Sequence, residues 1–197
     1  MAAPELTSSN QTDLTSLQQG RAGKYVRCAP GQDVADPRPG DVILIRGRGL
    51  VGRAIRAVQR VRHPMREDHP FAYWSHAALF VTPWHLIEVI PAGVIARKIE
   101  DYRDREYHYI HLDLSETQRS KAVAFAFSCL GQKYGASSFL LLAVSVLLGD
   151  RFKVPDRGQA GCVALIARAL GCAGITFEYG PSDMTPADLA KRFGVVP

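Results

Sequence analysis

The chain has no long hydrophobic run. Its most apolar stretch, Phe139–Leu148, is ten residues, and a bilayer span takes about 20, so a multi-span membrane protein is excluded. The first 20 residues lack the apolar centre of a secretory signal. That predicts a cytoplasmic protein, or one exported without a cleavable signal. Cysteine is scarce: Cys28, Cys129, Cys162 and Cys172 are the only four, and none form a C-x-x-C pair. A disulfide scaffold and the usual zinc and thioredoxin spacings are therefore excluded. There is no G-x-S-x-G elbow of a serine hydrolase and no H-E-x-x-H zinc helix. His108 and His111 lie three apart in a strand-like run, so they face opposite sides. No metal site, cofactor or nucleic-acid partner is expected.

One local absence is informative. Between Arg46 and Arg66 there are seven arginines and no acid. Outside that stretch the remaining 17 basic residues face 19 acidic ones, so the net charge of +5 belongs to a single segment. Such a segment suits an anionic contact surface, whether phosphate, lipid headgroup or acidic partner. The plain alternative is a solvated helix face.

What is present is ordinary globular composition: 197 residues, 47% hydrophobic and 22% charged. That is enough chain for one self-sufficient core. Residues 1–22 are Ser-, Thr-, Gln- and Ala-rich without periodicity and read as a mobile tail. Residues 23–197 read as one domain. Asp41–Arg46 is a buried strand. Leu50–Arg62 is an amphipathic helix with Val51, Ala54, Ile55, Val58 and Val61 on one face and Arg53, Arg56 and Arg60 on the other. Residues 63–74 read as a loop. Four strand-like runs follow, Ser75–Val81, His85–Ile90, Val94–Ile99 and Tyr107–Leu112, and their short gaps predict an antiparallel meander. Ser115 and Gln118 form a capping-box pattern opening a helix to Leu130, stopped by Gly131. Ser137–Leu148 reads as a helix apolar all round, Asp150–Ala160 as a polar loop, Gly161–Leu170 as a helix, and Thr185-Pro186 as the start of a last one. This order predicts an α+β fold, an antiparallel sheet packed by helices.

Three residues carry candidate chemistry. Cys162 falls in the first turn of a predicted helix, where the helix dipole favours thiolate over thiol. A small buried cysteine is the plain alternative. His76 lies in an apolar strand and is a candidate base for a thiol, or a satisfied core histidine. Glu88 interrupts Leu86-Ile87-Val89-Ile90, where an unpaired carboxylate is costly. If the two strands pair, Glu88 orients the imidazole; otherwise it is an edge residue facing water. Gly47, Gly49 and Gly52 spell G-x-G-x-x-G between a strand and a helix, the layout of a dinucleotide site. The strands that follow are not those of a second βαβ unit, so that reading is the weaker one.

The pieces PGDVILIR, WSHAALFV, HLIEVI, GQKYG and GCVALIARAL, in this order over roughly residues 39–172, resemble the circularly permuted papain-like fold of the NlpC superfamily. That group includes bacterial cell-wall peptidases and amidases and the lecithin:retinol acyltransferase branch. The resemblance implies Cys162 as nucleophile, His76 as base and Glu88 as its orienting partner. It also implies a substrate or oxyanion role for Tyr134. Val163 stands where relatives commonly have serine; with Ser75 it joins the candidates around the oxyanion, beside the backbone N–H groups that open the Cys162 helix. The implied activity is a cysteine hydrolase working through a thioester, an amidase or peptidase of the cell-wall kind. The alternative on the same triad is a lipid or acyl-ester hydrolase or acyltransferase. An alternative of another class is a non-catalytic module whose Arg46–Arg66 segment, through Arg53, Arg56 and Arg60, binds an anionic lipid, a membrane surface or a partner. The apolar Phe139–Leu148 run suits one wall of an acyl-chain groove, or simply core.

Overall fold

The computed structural model describes residues 24–133 and 161–197. The expected N-terminal tail, the Ser137–Leu148 helix and the Asp150–Ala160 loop lie outside the described residues. Six strands form one antiparallel sheet: β1 (Lys24–Cys28), β2 (Val42–Ile45), β3 (His76–Phe80), β4 (His85–Ile90), β5 (Gly93–Lys98) and β6 (Tyr107–His111), in the order β1-β6-β2-β3-β4-β5. With helices α1 (Gly49–Arg62), α2 (Glu116–Ser128), α3 (Cys162–Cys172) and α4 (Pro186–Phe193), the fold is α+β.

The period of two along each strand sorts side chains to two faces. Val42, Leu44, Ala77, Leu79, Ile87 and Val89 form the face covered by α2, α3 and α4. Ile43, Ile45, Ala78, Phe80 and Leu86 form a second cluster with Tyr102, Tyr107 and Tyr109. Because β2 is buried on both faces, it reads as a continuous apolar run rather than an alternating one. Trp74, fully buried, donates its indole N–H to the Val195 carbonyl at 3.2 Å and ties the C-terminal segment to the sheet.

The caps appear where the sequence places them. Ser115 accepts from the Gln118 amide while Gln118 returns a bond to the Ser115 amide, and Thr185 and Asp188 do the same at α4. Gly131 follows α2 in the left-handed region, at φ 80°.

Three features depart from the sequence reading. The first is β1, a strand the sequence did not signal, paired along its length with β6. The second concerns the meander, which holds only for β3, β4 and β5. After β5 a 3-10 turn, Ile99–Tyr102, carries Tyr102 to the buried Glu88, and the chain then crosses to place β6 between β1 and β2. Third, residues 63–74 contain two further 3-10 turns, Arg66–Asp68 and Phe71–Tyr73.

Candidate active site

The site begins at the N-terminus of α3. Gly161, its N-cap, has no side chain with which to close the helix, so the first backbone N–H groups are left without a cap. Cys162 opens the helix and is partly exposed. The backbone N–H groups of Val163 and Ala77 act on its sulfur and favour its charged form. Behind it α3 is buried nearly all round, through Val163, Ala164, Leu165, Ile166, Ala167, Ala169 and Leu170, which fixes it against the sheet.

His76 is the first residue of β3. β3 and β4 pair with Leu79 opposite Ile87; that register puts Glu88 opposite Ala78, on the face of His76 and diagonal to it. His76 Nε2 lies 2.5 Å from Glu88 Oε2. With Nε2 committed, Nδ1 is the ring nitrogen left for Cys162, whose sulfur favours the charged imidazole. The Glu88 carboxylate, 1% exposed, is further held by Arg97 on Oε1 and by the Tyr102 hydroxyl on Oε2.

The electrostatics follow from these contacts. Burial opposes a charged His76, but the Cys162 sulfur and Glu88 outweigh it and raise its pKa to about 10. For Cys162, burial pushes the thiol up; the His76 charge and hydrogen bond, with the Ala77 and Val163 amides, bring it below its ordinary value. In Glu88, burial is again outweighed, here by His76 and then by Tyr102 and Arg97, and the carboxyl falls to about 2. Tyr102 moves the other way: burial and the neighbouring carboxylate raise its pKa, so it stays a hydrogen-bond donor. Both shifts favour the thiolate–imidazolium form of the pair, with the carboxylate holding the ring.

The structure thus brings together Cys162, His76 and Glu88, and with them the Val163 backbone. Tyr134 lies outside the described residues. Ser75 is placed differently: its hydroxyl accepts from the Gly47 amide at 2.9 Å and contacts Arg56 Nη1 at 3.5 Å, fastening the loop that leads into α1. The glycines of that loop serve the same close approach, since a Cβ on Gly52 would sit 2.6 Å from the Gly47 carbonyl oxygen. Arg53, Arg56 and Arg60 stay on α1. Arg56 Nη1 donates to the Gly47 carbonyl at 2.9 Å, and burial, then the neighbouring Arg46, Arg53 and Arg60, lowers its pKa. Arg46, Arg48, Arg53 and Arg56 line a cleft of about 500 Å³ with Arg27 and Glu106.

Sequence reasoning missed Arg97 and Tyr102. Arg97 is legible only once β5 is in register: with Glu88 opposite Ile95, the alternation sets Arg97 on the same face. Tyr102 follows the strand in a turn that no local pattern connects to Glu88.

The chain matches no known protein-family model and no curated protein. The functional reading therefore stands on the geometry.

Proposed function

We propose that this chain is a cysteine-dependent hydrolase or acyltransferase acting on an amide or ester, built on a permuted papain-like fold. The observation that carries this reading is the continuous relay from a thiol at a helix start, through His76, to a buried carboxylate with two further donors. A buried structural cysteine needs no such relay. The histidine strand precedes the cysteine helix, the order of the family that the sequence resembles.

The thiolate attacks the substrate carbonyl carbon and forms a C–S bond. The oxyanion this creates is held by backbone N–H groups at the start of α3. As the tetrahedral species collapses, the C–N or C–O bond breaks and the imidazolium gives its proton to the leaving amine or alcohol. Water or an acceptor alcohol then attacks the thioester while His76 takes its proton, and the thiolate departs. Glu88 holds the ring and stabilises its charged form throughout. Amide substrates of the cell-wall peptide kind are the first class; acyl esters are the second, favoured by the arginine-lined cleft beside Ser75.

Murein peptides and acyl esters are the substrates to assay. Cys162→Ala and His76→Ala each abolish turnover while the chain stays folded, His76→Ala at some cost in melting temperature because the buried Glu88 loses a partner. Iodoacetamide reacts with wild-type Cys162 with a midpoint below the ordinary thiol value of ~8.5, and the midpoint rises in His76→Ala. Turnover retained in either variant overturns the mechanism.

A further inference from the structure

An amphipathic helix on a globular protein ordinarily turns its apolar stripe inward; α1 half-buries Ile55 and Val58 but leaves a longer apolar stripe facing out. Its inner stripe, at i, i+4 and i+7, is Gly52, Arg56 and Gln59. Gly52 and Gln59 are the helix's buried residues. Arg56 reaches the Gly47 carbonyl. Gln59 donates to the Trp74 carbonyl at 2.7 Å and accepts from the Ala187 amide at 2.9 Å. The helix is thus anchored through polar groups and a glycine. Its outer stripe, at i, i+4, i+7 and i+11, is Leu50, Ala54, Ala57 and Val61, and all four are exposed. Leu50 is 82% and Val61 76% exposed, with Val51 beside them at 68%.

The flanks of that stripe are cationic. Arg53 and Arg60 run along one side and Arg62 lies on the other. Arg48, at the N-cap, and Arg53 have no acidic partner among the described residues, and both line the arginine cleft. The one acid among the described residues of that cleft, Glu106, is already engaged by Arg27 at 2.8 Å and by the Tyr73 hydroxyl at 2.5 Å. The first turn of α1 has no acid and no capping side chain, so its partial positive charge adds to theirs. An apolar stripe wants to leave water and its cationic flanks want anions. A bilayer with anionic headgroups supplies both at one depth.

We propose that α1 is an interfacial helix: it lies on an anionic phospholipid bilayer, Leu50, Val51 and Val61 enter the acyl boundary, and the arginine cleft takes a headgroup phosphate. The guanidinium forks suit phosphate oxygens. The cleft sits at the end of the sheet that carries His76, since Ile45 pairs with His76 and the next turn is fastened to Ser75. Docking is independent of whether Cys162 is a nucleophile.

The test is flotation of the full chain with vesicles of phosphatidylcholine alone and of phosphatidylcholine mixed with phosphatidylglycerol, at low and high salt. The expected result is flotation with the anionic vesicles only, weakening as salt rises. Leu50→Glu/Val61→Glu and Arg48→Glu/Arg53→Glu each lower the partition about tenfold or more, with melting temperatures unchanged because these exposed side chains have no ion-pair or hydrogen-bond partners to lose among the described residues. Cys162→Ala floats like the wild type, so a failed catalytic reading leaves this result standing. No flotation of the wild type, or flotation indifferent to both double variants, overturns the proposal. A concentration-dependent dimer that Leu50→Glu/Val61→Glu dissolves, without vesicle binding, overturns it in favour of a second copy on this face. A lowered melting temperature in that variant without vesicles also overturns it, by showing the stripe covered within the chain.

Discussion

Two buried carboxylates in this molecule have nearly the same company. Asp41, fully buried, accepts from Arg119 Nη1 at 2.8 Å, from the Tyr109 hydroxyl, and lies 3.1 Å from His111 Nδ1. Glu88 has Arg97, the Tyr102 hydroxyl and His76. Arginine, tyrosine and histidine surround each. What separates the two is where the arginine and the histidine lead. Arg119 also donates to the Pro39 and Leu112 carbonyls, and Asp41 takes the Leu112 amide at 2.9 Å, so that cluster closes on backbone and staples α2 to the sheet. The Glu88 cluster leads out through His76 to a thiol at a helix start. Residue composition around a carboxylate therefore does not tell a staple from a site; the atom on the far side of the imidazole does.

The sharpest way to break this comparison is to neutralise each carboxylate. Asp41→Asn leaves Arg119, whose side chain is 4% exposed, as an uncompensated buried charge. A loss of about 3–5 kcal/mol in denaturant melts is expected, with the alkylation midpoint of Cys162 unmoved. Glu88→Gln leaves Arg97, 34% exposed and 3.6 Å from Asp101, so it should lose less stability. It should instead raise the Cys162 midpoint and cut turnover about hundredfold or more. If Asp41→Asn moves the thiol as far as Glu88→Gln does, the two clusters are not functionally distinct.

The tyrosines make the same comparison at smaller scale. Tyr109→Phe and Tyr102→Phe each remove one donor to an ionised carboxylate, worth about 1.5–3 kcal/mol. Only Tyr102→Phe should also shift the thiol midpoint upward, because only Glu88 is coupled to Cys162. Equal shifts, or none, would remove Tyr102 from the relay.

How much of this was legible follows from the range of each signal. Local signals carried through: Ser115 with Gln118 caps α2 and Thr185-Pro186 opens α4, because such a start is complete within four residues. Cys162, His76 and Glu88 were legible singly, each being the wrong residue type for its apolar surroundings unless a partner exists. Their conjunction needs the β3–β4 register. β1 was not legible because its partner β6 lies some eighty residues on, in pairs such as Lys24 with His111, and Lys24–Cys28 alternates too little to announce itself. The outward stripe of α1 was not legible because periodicity gives the two faces but not which one packs. Gln59 decides that, through bonds to Trp74 and Ala187 that are remote in sequence.

A third histidine sharpens the comparison from the opposite side. His76 has Glu88 on Nε2 and the Cys162 sulfur nearby and His111 has the Asp41 carboxylate, whereas neither ring nitrogen of the buried His108 has a hydrogen-bond partner among the described residues. It is stacked on Tyr25 at 5.5 Å and tilted against Trp74 at 4.5 Å. Burial, offset only in part by the Glu106 charge, lowers its pKa to about 4, while His76, beside the Cys162 sulfur and the Glu88 carboxylate, rises to about 10. The signs for stability then differ. His108, depressed below its unfolded value of about 6.5, contributes stability above that pH, lost as pH falls through about 4. Glu88, depressed from about 4.3, contributes stability lost further down, as pH falls through about 2. His76 contributes below about 6.5, and its share is lost as pH rises through about 10. Acid unfolding should therefore come in two windows. His108→Phe, which keeps the stacking and removes two unsatisfied nitrogens, should erase the upper window alone and leave the protein as stable or up to about 2 kcal/mol more so near neutrality. Should His108→Phe leave the acid titration of stability unchanged between pH 6.5 and 4, the orphaned imidazole has found a partner in solution, and partnership rather than burial governs all three rings.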